Sequence, residues 1–187
     1  MDGLYQMNIF FLNGKPGRCA RWHCDKHVVK MILESTQILY TCQHMNGGTK
    51  NIDENAPICL STGKRGYKNH AVNHPSVKWA RSSLAHYIWL CWLGIALVKE
   101  HTFRFNPKRK HSCLIHLEWL LTNYPPDLIE DKWLSDPTPA MPDEYKVEGN
   151  IEQSYINYYK GSKTRMLKWT RRHIPHVFDL KYELSKF

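Results

Sequence analysis

The chain has 187 residues, enough to bury a substantial core in one domain and too few for two full ones. Its 26 Lys and Arg against 17 Asp and Glu leave a formal charge of +9, which points to a polyanionic partner, nucleic acid first and a nucleotide phosphate second. Six scattered cysteines (Cys19, Cys24, Cys42, Cys59, Cys91 and Cys113) read as small core thiols in a reducing cytoplasm. The longest apolar run, Leu84 to Val98, is interrupted by His86 and is shorter than the roughly 20 residues needed to span a bilayer, so no membrane partner is expected.

Met1 to Gln6 reads as a leader, because Met7 can itself start a compact protein. Asn8-Ile-Phe-Phe-Leu12 is a short strand or extended segment, closed by the turn signal Asn13-Gly-Lys-Pro-Gly17. A first helix is predicted from Pro16 to about Cys42, with Trp22, Val29, Ile32, Leu33, Leu39 and Tyr40 available for burial. Residues 43–73 carry a density of turn formers and form a long basic loop. His74-Pro75-Ser76 opens a second helix in which Val77, Trp79, Leu84, Ile88, Leu90, Leu93 and Leu97 follow helical spacing.

Asn106-Pro107 offers a cap and first-turn proline for a third helix ending near Asn123. The Pro-rich stretch 125–149 must wrap the surface. A last helix is predicted from Asn150 to Arg172, kinked at Gly161 and stopped by His173-Ile-Pro175. The expected fold is therefore mainly α, one compact helical domain over residues 1–187 with a short extended N-terminal segment and long loops.

The segment Cys19 to Lys30 gathers nearly every catalytically useful side chain. At about 100° per residue, Cys19, His23, His27, Lys30 and Glu34 share one helical stripe. Lys26 or Lys30 supplies an amine for Schiff-base chemistry on a sugar, and His23 or His27 transfers protons. Asp25 can support the oxocarbenium charge of a breaking N-glycosidic bond, although Arg21 and Asp25 also read as an exposed i, i+4 ion pair. The rival reading is zinc on Cys19, His23, Cys24 and His27, completed from Cys42, His44, Cys59, His70 or His74. That spacing is not one of the usual structural zinc patterns, so no metal and no cofactor is expected.

Two segments suit phosphates and bases. In Gly63-Lys-Arg-Gly-Tyr-Lys-Asn-His70, the cations Lys64, Arg65 and Lys68 neutralise phosphates while Tyr67 stacks, with His70 and His74 beside them. Toward the C-terminus, Tyr158, Tyr159, Lys160, Lys163, Arg165, Lys168, Arg171 and Arg172 interleave rings with bases, as a base-extrusion pocket beside a phosphate clamp would.

The order of these features resembles the phage pyrimidine-dimer DNA glycosylases of the endonuclease-V type. The stretches that carry the likeness are Asn8 to Leu12, Trp22 to Asp25, Gly66-Tyr-Lys-Asn-His70 with His74-Pro75, and Tyr158-Tyr-Lys-Gly161. The chain is also similar to small phage proteins bearing the motif Cys24-Asp-Lys-His-Val-Val-Lys-Met31. The resemblance implies a compact helical DNA glycosylase with a carboxylate on its early helix and an N-terminal amine as nucleophile. Here Met1 precedes Asp2 and Met7 precedes Asn8, so Lys26 or Lys30 replaces that amine or the lyase step is lost, and Asp25 is the nearest carboxylate.

The leading expectation is a monomeric DNA- or nucleotide-binding enzyme acting at the base–sugar bond, in DNA repair or modified-base processing, within the cytoplasm of an infected cell. The competing one is a non-enzymatic phage nucleic-acid-binding or host-takeover protein with a structural His/Cys cluster.

Overall fold

A computed structural model describes residues 8–131 and 133–179. The leader expected at Met1 to Gln6 lies outside them. Within the described residues the protein is mainly helical, with helices α1 Pro16–Trp22, α2 Asp25–Met45, α3 Thr49–Asn55, α4 Pro75–Ala80, α5 Leu84–Phe105, α6 Cys113–Thr122 and α7 Ile151–Ser162. No strand forms among them, and Ile58 and Arg65 make an isolated antiparallel bridge. Asn8 to Leu12 is an irregular segment buried along its length and, rather than extended, is turned by hydrogen bonds from the Phe10 N–H to Asn8 Oδ1 and from the Leu12 N–H to the Phe10 carbonyl.

The core follows from α5. Tyr87, Leu90, Cys91, Leu93 and Leu97 are all fully buried, so this helix is apolar nearly all round and is surrounded by α1, α2, α4 and α6. Gly94 lets α6 come close, because a Cβ there would lie 2.6 Å from Leu117 Cδ2. No described helix is long and apolar enough to cross a membrane.

Several boundaries differ from those expected. The helix predicted from Pro16 to Cys42 is two helices, broken at His23 and Cys24, and the second continues to Met45. Residues 43–73 are not all loop, since α3 lies within them. The second predicted helix also splits, because Ser83 turns extended and its hydroxyl accepts the His86 N–H to start α5 afresh. Asn106 starts no helix: at φ 43° it closes α5 in the left-handed region, and α6 begins at Cys113. The last helix begins where expected, with Asn150 capping it by accepting the Gln153 N–H at 2.9 Å, but it stops at Ser162 rather than Arg172. Residues 163–179 then run as an irregular strap with short 3-10 turns at Thr164–Met166 and His176–Phe178.

The α1–α2 break has a complete hydrogen-bond account. Arg104, fully buried on α5, donates to the carbonyls of Arg21 (3.0 Å) and His23 (2.9 Å), and the Trp169 indole N–H donates to the carbonyl of Trp22 (3.1 Å). Arg104 also donates to Glu100 Oε1 (2.7 Å) and Asp25 Oδ1 (3.0 Å). Arg172 from the strap grips both oxygens of Glu100, at 2.8 and 2.9 Å. Burial works against the ionised Glu100, but its hydrogen bonds from Arg172 and Arg104 prevail and hold its carboxyl below the usual carboxylate value.

Arg104→Met should therefore leave Glu100 and Asp25 facing an apolar side chain and cost about 3–5 kcal/mol. Urea unfolding of this variant against the wild-type protein checks the magnitude.

Candidate functional site

The side chains of α2 that remain accessible form a stripe of their own. Lys26, Val29, Lys30, Leu33 and Gln37 recur at helical spacing and border cavities, as does the buried Glu34 between them. Val29 and Leu33, expected in the core, are 47% and 40% exposed, because the core side of α2 is already filled by Val28, Met31, Ile32, Ile38 and Leu39.

Two cavities meet along this stripe. The larger, about 1340 Å³, is a cleft between α2, the loop 61–70 and the start of α6. Lys64, Arg65, Tyr67, Lys68 and His70 line it, as do His44, Asp53 and His111 from other elements. Gly66, at φ 61°, lets the loop lie against α2 and α3, since a Cβ there would sit 2.5 Å from the Tyr40 ring and 2.8 Å from Ile52. Arg65 spends one guanidinium N–H on the carbonyl of Ala56 at 2.7 Å.

The smaller cavity, about 260 Å³, is walled by Asn8, Phe10, Lys26, His27, Tyr158, Lys163 and Met166. Lys30 and Glu34 border both cavities. Phe10 sits at φ 50°, a conformation that costs a residue with a Cβ, and its ring stacks on His27 with centroids 4.1 Å apart. Lys163 Nζ lies 4.7 Å from the centre of the Tyr158 ring.

The electrostatics around the shared pair are set by burial. Glu34 is 6% exposed; Lys30 Nζ approaches its Oε1 at 3.0 Å and the Asn8 N–H donates to its Oε2 at 3.1 Å. Burial raises the Glu34 pKa above its ordinary 4.5, and the Lys30 and Asn8 hydrogen bonds only partly oppose that. His27 is pushed down to about 2, mainly by burial and then by the nearby His23, Lys163 and Lys30 charges, so it is a neutral imidazole. Its Nδ1 pairs with the hydroxyl of the fully buried Tyr159.

Several expected site residues serve the architecture instead. Asp25 does not face either cavity: its carboxylate accepts from Arg104, from the Thr170 N–H and, at 2.7 Å, from the Thr170 hydroxyl. His23 is fully buried, its Nδ1 bonded to the carbonyl of Cys19 at 2.8 Å and its Nε2 unpartnered among the described residues. His74 caps α4 by accepting the Ser76 N–H. Tyr159 is buried, and Arg172 is committed to Glu100 and lies 4.0 Å from the Phe103 ring centre. Arg171 donates to the carbonyl of Phe103, and the carbonyl of Lys168 accepts the Asp25 N–H. Lys160, Arg165 and Lys168 border neither cavity.

Sequence reasoning missed Phe10, Asn8, Met166, His111 and the use of Val29 and Leu33. Only the last two left a signal, because α2 has more apolar positions than one buried face can absorb. For zinc, no group of three or more His, Cys, Asp or Glu among the described residues is arranged to hold an ion, and the Cys19 thiol points to the carbonyl of Phe10. Comparison of the chain with protein-family models, curated proteins and solved structures finds no match.

Burial brings His23 from 6.5 down to about 4. The unfolded chain thus takes up a proton that the folded one refuses. The stability from neutral His23 is complete above pH 6.5 and is lost as pH falls from there toward 4, by roughly 3 kcal/mol at about 1.4 kcal/mol per pH unit. Denaturant melts across this range should show a smaller loss in His23→Gln than in the wild-type protein.

Proposed function

We propose that the chain is a DNA- or nucleotide-binding enzyme acting at the base–sugar N-glycosidic bond, with Glu34 and Lys30 at the reacting centre. The observation that carries this reading is that one ion pair borders both a large cation-rimmed cleft and a small aromatic pocket. Phosphates suit the cleft rim, an extruded base suits a pocket with Phe10 and Tyr158 in its walls, and the bond joining base to sugar then falls at the pair. The likeness to the phage pyrimidine-dimer glycosylases supports the same chemistry, with Glu34 rather than Asp25 as the carboxylate of the early helices.

In the hydrolytic form of the reaction, water adds to the sugar C1′ and gives a proton to the Glu34 carboxylate. The electron pair of the glycosidic bond leaves with the base, which takes a proton from the Lys30 ammonium. A proton then returns from Glu34 to Lys30 across their 3.0 Å contact, and the pair is restored. Before the bond breaks, the Glu34 charge supports the positive charge growing on the sugar. Neutral His27 meets the base with the ring nitrogen that Tyr159 does not use. In the alternative, Lys30 gives a proton to Glu34 and attacks C1′, and the base leaves with the electron pair of the glycosidic bond and is protonated by Glu34. Opening of the sugar C1′–O4′ bond, the amine proton passing to O4′, then leaves a Schiff base that borohydride reduces to a stable adduct.

A second reading, a non-enzymatic phage nucleic-acid-binding or host-takeover protein, is favoured by the structural employment of His23, Asp25 and Arg172. The six free thiols, all buried, suit a reducing cytoplasm.

Base-release chromatography on damaged, modified and undamaged DNA and on free nucleotides decides between them. Glu34→Gln should lower release by about 10²–10⁴-fold while binding changes little, and no product from any substrate would leave the binding reading alone. In the wild-type protein, release should fall on the acid side at a pH above 4.5, because burial raises the Glu34 carboxyl and its protonation removes the base.

A further inference from the structure

Val29 and Leu33 are conspicuous on a basic surface. Both side chains lie open on the outer face of α2, where packing does not require them, and both border the large cleft together with Tyr67, whose half-buried ring also packs against Tyr40 and His116. The cleft therefore has an apolar floor. Lys64 and Lys68 line the cleft from the loop 61–70, and the exposed run Lys108-Arg109-Lys110 immediately precedes His111 and Ser112, which also line it. Of the two carboxylates on the cleft, Glu34 is paired with Lys30 and Asp53 belongs to α3.

We infer that the cleft holds a single-stranded segment of nucleic acid, its unpaired bases on Val29, Leu33 and Tyr67 and its phosphates between Lys64–Lys68 and Lys108–Lys110. Each feature excludes an alternative. A duplex turns phosphates outward and keeps its base faces stacked inside, so an apolar floor gains nothing from it. A mononucleotide has one base and one phosphate group to offer, whereas this cleft of about 1340 Å³ exceeds the roughly 300–1,000 Å³ typical of small-ligand pockets. An unpaired strand presents both apolar base faces and a regular row of charges, which is the combination the two surfaces match. The inference deepens the reading above and rests on it for what happens at Glu34, but strand binding is measured separately from base release.

Fluorescence anisotropy with one labelled oligonucleotide, alone and annealed to its complement, tests it on the full chain. The single strand should bind at least about tenfold more tightly than the duplex, and Leu33→Asp should weaken it by about tenfold or more with the melting temperature unchanged, since Leu33 is exposed. Combined Lys108→Ala, Arg109→Ala and Lys110→Ala should lower the slope of log affinity against log salt by about 2, because each phosphate contact on a single strand contributes about 0.7. Equal or tighter duplex binding, a mononucleotide that binds as well as the strand, or a Leu33→Asp protein with undiminished strand affinity would each overturn the inference. Strand preference without base release would leave it standing and remove the glycosidic chemistry, and base release from a duplex-preferring protein would do the reverse.

Discussion

The guanidinium of Arg104 is the constraint on which the arrangement depends. It is buried without solvent contact, and it ties the end of α1, the start of α2 and its own helix to one point. A buried arginine is tolerable only if its charge is balanced and its donors are used. Glu100 and Asp25 supply the balance, and two orphan carbonyls at the end of α1 use donors that solvent cannot reach. Arg172 then shares Glu100, while Thr170 shares Asp25, so the strap 163–179 closes over the same junction. A network of this kind specifies one orientation of α1 against α2 more than it adds net stability.

That orientation determines where the chemistry-bearing side chains go. Had Pro16 to Met45 been one straight helix, Cys19, His23, His27, Lys30 and Glu34 would share a stripe and face a common side. The break turns Cys19 and His23 into the core beneath the Asn8 to Leu12 segment, while His27, Lys30 and Glu34 stay at the cavities. Phe10 then fills the space against His27, and its left-handed backbone is held at both ends: its N–H donates to Asn8 Oδ1 at 3.0 Å and its carbonyl accepts the Leu12 N–H at 2.8 Å. The small pocket is thus a by-product of the same junction.

Much of this was legible in the sequence, and what was not has a common cause. The helical character, the buried α5 and the start of α7 near Asn150 follow from periodicity and local side-chain chemistry, which depend on near neighbours. The breaks at His23–Cys24 and at Arg81–Ser83 carry no proline or glycine; the first is imposed by Arg104, Trp169 and Thr170, residues some eighty to one hundred and fifty positions away. Asp25 illustrates the cost of reading locally: it stands among the histidines in the chain, yet its partners are Arg104 and Thr170. The basic loop was recognisable from composition, but that it sits opposite Val29 and Leu33 follows from the contact of Gly66 with Tyr40, which no local pattern encodes.

The proposed acid–base role falls on Glu34 rather than Asp25 because Glu34 lies between two environments. Asp25 accepts hydrogen bonds from three donors on two residues, and any proton it took up would have to break a salt bridge to a fully buried arginine. Glu34 is buried enough for its carboxyl to be raised, yet one of its two hydrogen bonds comes from Lys30, which is itself largely exposed and can swing toward an occupant. Exchange of a proton between the two alters no net charge at the mouth of the pocket, so it avoids the desolvation cost that a lone buried carboxylate would meet at each change of state. The second bond, from the Asn8 N–H, comes from the backbone two residues before Phe10 and fixes the carboxylate against the pocket wall.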